Sequence, residues 1–483
     1  MLSGTAGTSL SAAITAVAGE RQLILITQTL ILGLGTAATA LCVGLPIGIA
    51  LARCDPRRVV LVRFAFVVPL VLPSYVLALA WVVIADPSLA RWTYSLPGAV
   101  VVLGFSFYPV VMLATEAAVR NVPRRLEEAG RLVASARRVW WSITLPLIAP
   151  SVVASLLVVL VLAISDFAVP SMLRVRVYTT EVFTTFSALY NFHLATVMAL
   201  PLAFTGAIAA IAALQVVRRP LIARHDQGQS GLRWRDGYQQ VAATILAVAG
   251  LAAVITPVGA IAIAASTGRA TFTEAASMLA IWNGVVWSGI AASLVVLVGA
   301  LLGYWRAKNG SVKGRALEVL WIMLFAVPPT VAGIGLIGLW NRPGILGDIY
   351  RTDTIVVIAY VSRFLPLGAL MCAAFLRRVP AGVEEAAVVS GASWSRTFSS
   401  VVLPLSMRGL AAVWLVMFIL MFGDVALAIL VAPPGEANLA VRAYTLIANS
   451  PVGDVARIAL VQVAMSIVPL SALVALTKQA NSS

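Results

Sequence analysis

The chain has 483 residues, of which 61% are hydrophobic and only 11% charged, with 34 Lys and Arg against 19 Asp and Glu. Soluble domains carry about 45–50% apolar and about 25% charged residues, and continuous apolar runs of about 20 residues span a bilayer as helices, unlike the short alternating strands of a barrel; the composition therefore excludes both a soluble globular domain and a β-barrel. The formal net charge of +15 does not point to nucleic acid, because an arginine excess in a membrane chain marks cytoplasmic loops and anionic headgroups.

Cys42, Cys54 and Cys372 stand singly, which gives neither a disulfide framework nor a metal motif. Residues 1–22 are a small, mildly polar lead-in without the basic start of a signal peptide. A first span covers residues 23–52 and ends in Arg53, Arg57 and Arg58. A second, over 64–84, contains Pro69 and Pro73, whose missing N–H groups predict a kink. A third covers 97–119 and ends at Arg120; after a polar segment, a fourth covers 147–169. A loop with Arg174 and Arg176 leads to a fifth span over 194–217.

Residues 218–240 form the longest polar break and are read as a cytoplasmic linker between a first half, 23–217, and a second, 241–483. The sixth span covers 241–265, and the seventh covers 279–304, ending in Arg306, Lys308, Lys313 and Arg315. The eighth covers 317–340 with Pro328 and Pro329, and the ninth covers 354–376, ending at Arg377 and Arg378. A second polar segment follows, then a tenth span over 410–431 and an eleventh over 458–477. The fold class is all-α: a polytopic membrane protein of about 11 transmembrane helices, 5 + 6, in two parallel repeats. Basic residues concentrate on the side that holds both polar segments, which predicts a cytoplasmic C-terminus and an N-terminus outside.

The repeat is clearest in those segments, VPRRLEEAGRLVASARRVWWSITLP from Val122 and VPAGVEEAAVVSGASWSRTFSSVVLP from Val379. Each reads as a short helix after a proline, with paired glutamates in the first turn where negative charge suits the helix dipole. Small residues follow and permit close approach by another surface, and a Leu-Pro pair is expected to end the element where the next span begins. A headgroup-resting connector would not require glutamates twice over; a rigid lever for a soluble partner accounts for them.

Glu385, Ala386, Ala387, Gly391, Leu403 and Pro404, with Glu384 beside them in the same turn, resemble the EAA signature of bacterial ATP-binding-cassette importer permeases, which Glu385 and the residues after it match. In the first copy Glu127, Glu128 and Ala129 stand in the corresponding turn, with Gly130 for the second alanine, Ala134 for the glycine, and Leu145-Pro146 matching. Glu128 to Pro146 spans 18 residues against 19 from Glu385 to Pro404. Two registers are open: a one-residue deletion in the first copy, in its turn, or Glu127 as the matching glutamate. LPIGIALARCD, VVPLVLPSYVLALAW, SFYPVVMLA and SDFAVPSML extend the likeness to fused permeases for ferric iron and thiamine.

The resemblance implies the type I importer fold in the bacterial inner membrane. It also implies two coupling helices on two copies of an ABC ATPase, and a periplasmic or lipoprotein substrate-binding protein. Ferric iron is the expected solute, with thiamine, polyamine or phosphonate as alternatives. No G-x-x-x-x-G-K-[ST] occurs, so ATP-Mg belongs to the partner and the chain is expected to bind no cofactor and catalyse no reaction. An ion-coupled secondary transporter is an alternative that leaves the twin segments unexplained; a non-transporting membrane assembly subunit is another, which ATP-dependent uptake in proteoliposomes would separate.

Charges inside spans face a cavity or a partner. Glu116, Asp166, Arg363 and Asp424 are the candidates for a pathway. Asp166 and Asp424 each follow the Leu-Pro proline by 20 residues, and are read either as pathway carboxylates or as caps of a broken helix end. Arg363 is expected to pair with Glu116 or an aspartate, or to reach a headgroup. Pro69, Pro73, Pro328 and Pro329 mark the candidate gate, since irregular backbone in a membrane is tolerated only against protein or water. No metal-ligand set is assigned.

Overall fold

The computed structural model describes residues 19–480 apart from 86–87, 89, 190, 218–235, 269–274 and 309–311. The expected lead-in and the expected linker lie for the most part outside the described residues. Every regular element among the described residues is a helix. Nine helices are long and apolar enough to cross a membrane, and two bent pairs bring the described total to eleven. The chain is an all-α polytopic membrane protein.

It divides into two compact units. The first takes the described residues of 7–269 with 450–460; the second takes those of 270–449 with 461–483. In the first unit the long helices are α1 (Glu20–Arg53), the bent pair α2 (Pro56–Val71) and α3 (Ser74–Ile84), and α4 (Leu96–Arg120). A short helix α5 (Arg124–Val133) follows, then α6 (Leu145–Ser165), short α7 (Ala168–Met172) and α8 (Tyr178–Ser187), α9 (Phe192–Val217) and α10 (Asp236–Ser266).

The second unit repeats this order with α11 (Ala275–Lys308), the bent pair α12 (Val312–Ala326) and α13 (Pro329–Trp340), α14 (Thr354–Leu376), short α15 (Ala381–Val389) and α16 (Leu403–Phe422). It closes with short α17 (Ala428–Val431), α18 (Leu439–Asn449) and α19 (Val452–Ala480), whose first turns fall with the first unit.

Lipid-embedded helices gain little from hydrophobic burial against one another, so association depends on close packing of small residues. The same device serves both units. A methyl group placed on Gly48 would stand 2.5 Å from the Met112 carbonyl oxygen, and one on Gly303 would stand 2.7 Å from the Ala373 nitrogen. Four residues earlier, a methyl group on Gly44 would stand 2.6 Å from the Tyr108 carbonyl oxygen and one on Gly299 would stand 3.2 Å from the Ala369 nitrogen. Glycine pairs therefore seat α1 on α4 and α11 on α14. In the first unit Leu51, Val59, Phe66, Tyr108, Met112 and Val159 are buried together, and Tyr108 donates to the Phe66 carbonyl at 3.0 Å. Leu246 of α10 joins that cluster. Packing thus groups the sixth span with the first unit, whereas chain order puts it at the head of the second repeat.

The expected kinks are full breaks. α2 and α3 meet at 93°, and α12 and α13 at 95°. Pro73 and Pro328 occupy the same place, each the residue before the second helix of its pair. The other prolines do not correspond: Pro69 lies inside α2, while Pro329 is the first residue of α13, where Ser74 begins α3. The tenth span also ends earlier than its apolar run suggests, because α16 stops at Phe422 ahead of Asp424.

Candidate functional site

Both short helices begin after their proline, α5 after Pro123 and α15 after Pro380. Their paired glutamates separate into one buried and one exposed. Glu127 is 1% exposed and Glu384 is 7% exposed, whereas Glu128 and Glu385 face outward. Arg53, at the end of α1, clamps Glu127 with both nitrogens: Nη2 to Oε1 at 2.5 Å and Nη1 to Oε2 at 2.7 Å. Thr144 Oγ1 donates to Glu127 Oε1 at 2.6 Å. In the second unit Lys308, at the end of α11, pairs with Glu384 Oε1 at 2.6 Å, and the Tyr304 hydroxyl donates to Oε2 at 2.8 Å. Burial alone would raise the Glu127 carboxyl; hydrogen bonds from Arg53 and Thr144, with the Arg53 charge, outweigh it and hold the group below its ordinary range.

These matched ion pairs make Glu127 the structural equivalent of Glu384, and Glu128 that of Glu385. The one-residue difference falls in the turn. Ser135 and Ser393 cap the next helical turn alike, accepting from the Arg138 and Arg396 backbone nitrogens. Before them the second copy has Gly391 at φ +82, while the first passes through Ala134 in extended backbone. Gly130 replaces the second alanine where a methyl group would stand 2.8 Å from Ile143 Cδ1. Ala129, Ala386 and Ala387 lie on the outer or partly covered face with Glu128 and Glu385.

Leu145-Pro146 and Leu403-Pro404 do not end the polar elements as expected. A helical turn starts at Ala136 and at Trp394, then passes through π-helical Trp140–Thr144 and Phe398–Val402 into α6 and α16. The wide turn reroutes bonding ahead of a proline that offers no N–H, with Leu145 donating to the Trp140 carbonyl and Leu403 to that of Phe398.

Each short helix ends in an exposed apolar pair. Val133 is 87% exposed and Val389 is 88% exposed, with Leu132 and Val388 beside them. The first also presents Arg124, Arg125 and Arg131, of which Arg124 pairs with Glu128.

The other candidates fall into separate places. Glu116 pairs with Arg63 of α2 at 2.6 Å and with Arg120 at 2.9 Å, not with Arg363. Arg363 faces Asp424 at 4.0 Å, with its guanidinium 5.7 Å from the Phe325 and Phe364 ring centres. Asp166 and Asp424 each cap the turn that follows, Oδ1 accepting from Val169 N at 2.9 Å and from Leu427 N at 2.8 Å. Among the described residues no three His, Cys, Asp or Glu side chains gather as a metal site. Reading the sequence missed Arg53, Lys308, Thr144 and Tyr304 as clamp residues. The available signal was that Arg53 and Lys308 stand at the same step beyond Gly48 and Gly303.

The chain matches the family described as binding-protein-dependent transport system inner membrane component over residues 44–226 and again over 295–480. A ferric transport system permease protein of Actinobacillus pleuropneumoniae is 25% identical over 65% of this chain and 49% of its own length. An Fe(3+)-transport system permease protein of Haemophilus influenzae is 22% identical over 84% of this chain and 80% of its own. A maltose/maltodextrin transport system permease protein of Vibrio parahaemolyticus is 30% identical over 41% of this chain and 67% of its own. The chain spans about half the length of some ferric-named relatives.

Proposed function

Because this chain belongs to the family of binding-protein-dependent transport system inner membrane components, we propose that it is the fused permease of an ATP-driven importer for ferric iron, with α5 and α15 as its coupling helices. Two copies of an ATP-hydrolysing subunit act on those helices, and ATP-Mg stays with them. A binding protein delivers solute to the outer segments around Arg174 and Arg176 and around residues 433–442, the latter running into α18. The chain lies in the bacterial inner membrane among its lipids, with its N-terminus outside and C-terminus cytoplasmic.

The observation that carries this reading is the split of each glutamate pair. One glutamate is buried on the last turn of a spanning helix, and the other faces out beside an apolar end. A connector resting on headgroups has no use for a buried carboxylate; a lever must be fastened to what it moves. A push on α5 passes through Glu127 and Arg53 into α1, and from α1 through Gly44 and Gly48 into α4. The route from α15 runs through Glu384, Lys308, α11, Gly299 and Gly303 into α14. ATP binding closes the partners and drives both routes, and hydrolysis resets them. Ferric iron is favoured over sugars because an iron-named relative aligns across both repeats, while the maltose-named one covers less than half of the chain.

The test is uptake by proteoliposomes holding this chain, its ATPase and its binding protein. ATP is expected to drive uptake of radiolabelled ferric iron, with thiamine and maltodextrin excluded. Glu385→Arg is expected to abolish both uptake and ATPase pull-down. Uptake on an ion gradient without ATP, or labelling of residues 123–146 and 380–404 from the extracytoplasmic side, would overturn the reading.

A further inference from the structure

The two broken spans are tied down by different chemistry. In the first unit Ser74, the first residue after the break, donates its hydroxyl to Asp166 Oδ2 at 2.7 Å. Asp166 therefore caps α7 with one oxygen and holds the start of α3 with the other. In the second unit the residue at the corresponding place is Pro329, which has no hydroxyl to offer. Asp424 still caps its turn through Oδ1, but its Oδ2 faces Arg363 Nε at 4.0 Å. Arg363 Nη1 in turn donates to the carbonyl of Val327 at 2.7 Å, in the break between α12 and α13.

Repeat position makes the substitution reciprocal. Pro109 of α4 and Pro366 of α14 stand at the same distance from their following short helices, which aligns Arg363 with Ser106. The first unit therefore has serine at the break and serine on the neighbouring helix; the second has proline and arginine. Ser106 Oγ is buried and makes no hydrogen bond among the described residues, so the first unit draws nothing from that position. The carbonyl left open at a helix break inside a membrane needs a donor. Arginine alone there would be an expensive buried charge, and Asp424 neutralises it.

We propose that Arg363 is the positioning residue of the second broken span. It replaces the direct Ser74–Asp166 bond with a bridge from Asp424 to the Val327 carbonyl, so that the break and the turn after α16 move together. The proposal rests on the importer reading for its transport consequence, not for its geometry.

The experiment rebuilds the first unit's tie in the second. Arg363→Ser is expected to lower the maximal rate of ATP-driven uptake by at least about tenfold, leaving KM for the loaded binding protein unchanged. Adding Pro329→Ser, which puts a hydroxyl at the place that Ser74 holds in the first unit, is expected to bring uptake back to within about threefold of the parent. Arg363→Lys, keeping charge without the fork, is expected to fall between them. Normal uptake by Arg363→Ser overturns the proposal, as does a folded double variant that stays as slow as the single one, which would make Arg363 a solute contact. The unfolding temperature of the isolated permease gives a second readout that needs no transport: lowered in Arg363→Ser and recovered in the double variant. If the parent protein itself moves no solute under ATP, the importer reading fails and this thermal arm alone decides. If Arg363→Ser cannot be obtained folded, a folded double variant sustains the proposal and an unfolded one overturns it.

Discussion

The two short helices share a plan but are fastened with unequal stiffness. Arg53 grips Glu127 through two parallel bonds with both side chains buried, at 8% and 2% exposure. Lys308 meets Glu384 through one nitrogen and is 41% exposed, and a tyrosine takes the other oxygen. A guanidinium fork fixes the orientation of a carboxylate, whereas an ammonium group lets it turn. The second helix gains its seat from rings instead: Trp394 stacks on Phe398 with planes 4° apart, and Tyr304 lies 5.1 Å from Phe398. Their outer faces differ too. The first segment exposes Arg124, Arg125, Arg131, Arg137 and Arg138, where the second has Arg396. The halves can differ this way because each segment answers to its own clamp.

The sharpest way to break the comparison is to remove each cation. Arg53→Met leaves Glu127 buried without its clamp, which costs about 3 kcal/mol locally. Hydrogen exchange across residues 124–133 is expected to speed up about a hundredfold. Lys308→Met removes a partly solvated partner worth about 1 kcal/mol or less, so residues 381–389 are expected to speed up no more than about fivefold. Equal effects would mean that the burial difference carries no energetic weight.

Much of this was legible before the fold. A polar stretch with paired glutamates, recurring in a chain otherwise apolar, reveals the repeat and the two short helices because the surrounding spans cannot hide it. The proline-marked second and eighth spans do break. What the sequence withheld is long-range pairing: Arg53 lies 74 residues from Glu127 in the chain, and nothing local distinguishes it from the neighbouring Arg57 or Arg58. The register of the first copy was open for the same reason, since only the two ion pairs show which glutamate turns inward. Leu-Pro misled as a terminator because a π turn can carry a helix past a proline, a property of hydrogen-bond routing that composition does not record. The proline pairs looked alike in sequence, but only Pro73 and Pro328 share a place.

A smaller effect tests the turn where the copies differ in length. Gly391 sits at φ +82 with open space where a Cβ would go, so Gly391→Ala introduces backbone strain without a clash. Left-handed backbone costs an alanine about 1 kcal/mol. Exchange at residues 390–393 is expected to rise severalfold, with the Lys308–Glu384 clamp intact. Ala134→Gly in the extended first turn is expected to change exchange less. A larger response from Ala134→Gly would show that the inserted residue, rather than its conformation, shapes the second turn.

Acidity gives the smallest effect and the most discriminating one, because it predicts opposite signs. The hydrogen bonds from Arg53 and Thr144 hold the Glu127 carboxyl below its ordinary range. A carboxyl lowered by folding contributes stability that is complete above its unfolded value and is lost only as pH falls through the folded one. Exchange across α5, corrected for its intrinsic pH dependence, is therefore expected to stay level from about pH 7.5 to about pH 5 and to rise only below the ordinary carboxylate range. In Arg53→Met the chief lowering influence is gone while burial remains, so the folded value moves up past the unfolded one. Proton uptake then relieves a buried charge, and acidification is expected to slow exchange over the same interval in which the parent stays level. If both proteins loosen together, Thr144 and Arg131 rather than Arg53 hold the Glu127 carboxyl down, and the two short helices are fastened less differently than their geometry implies.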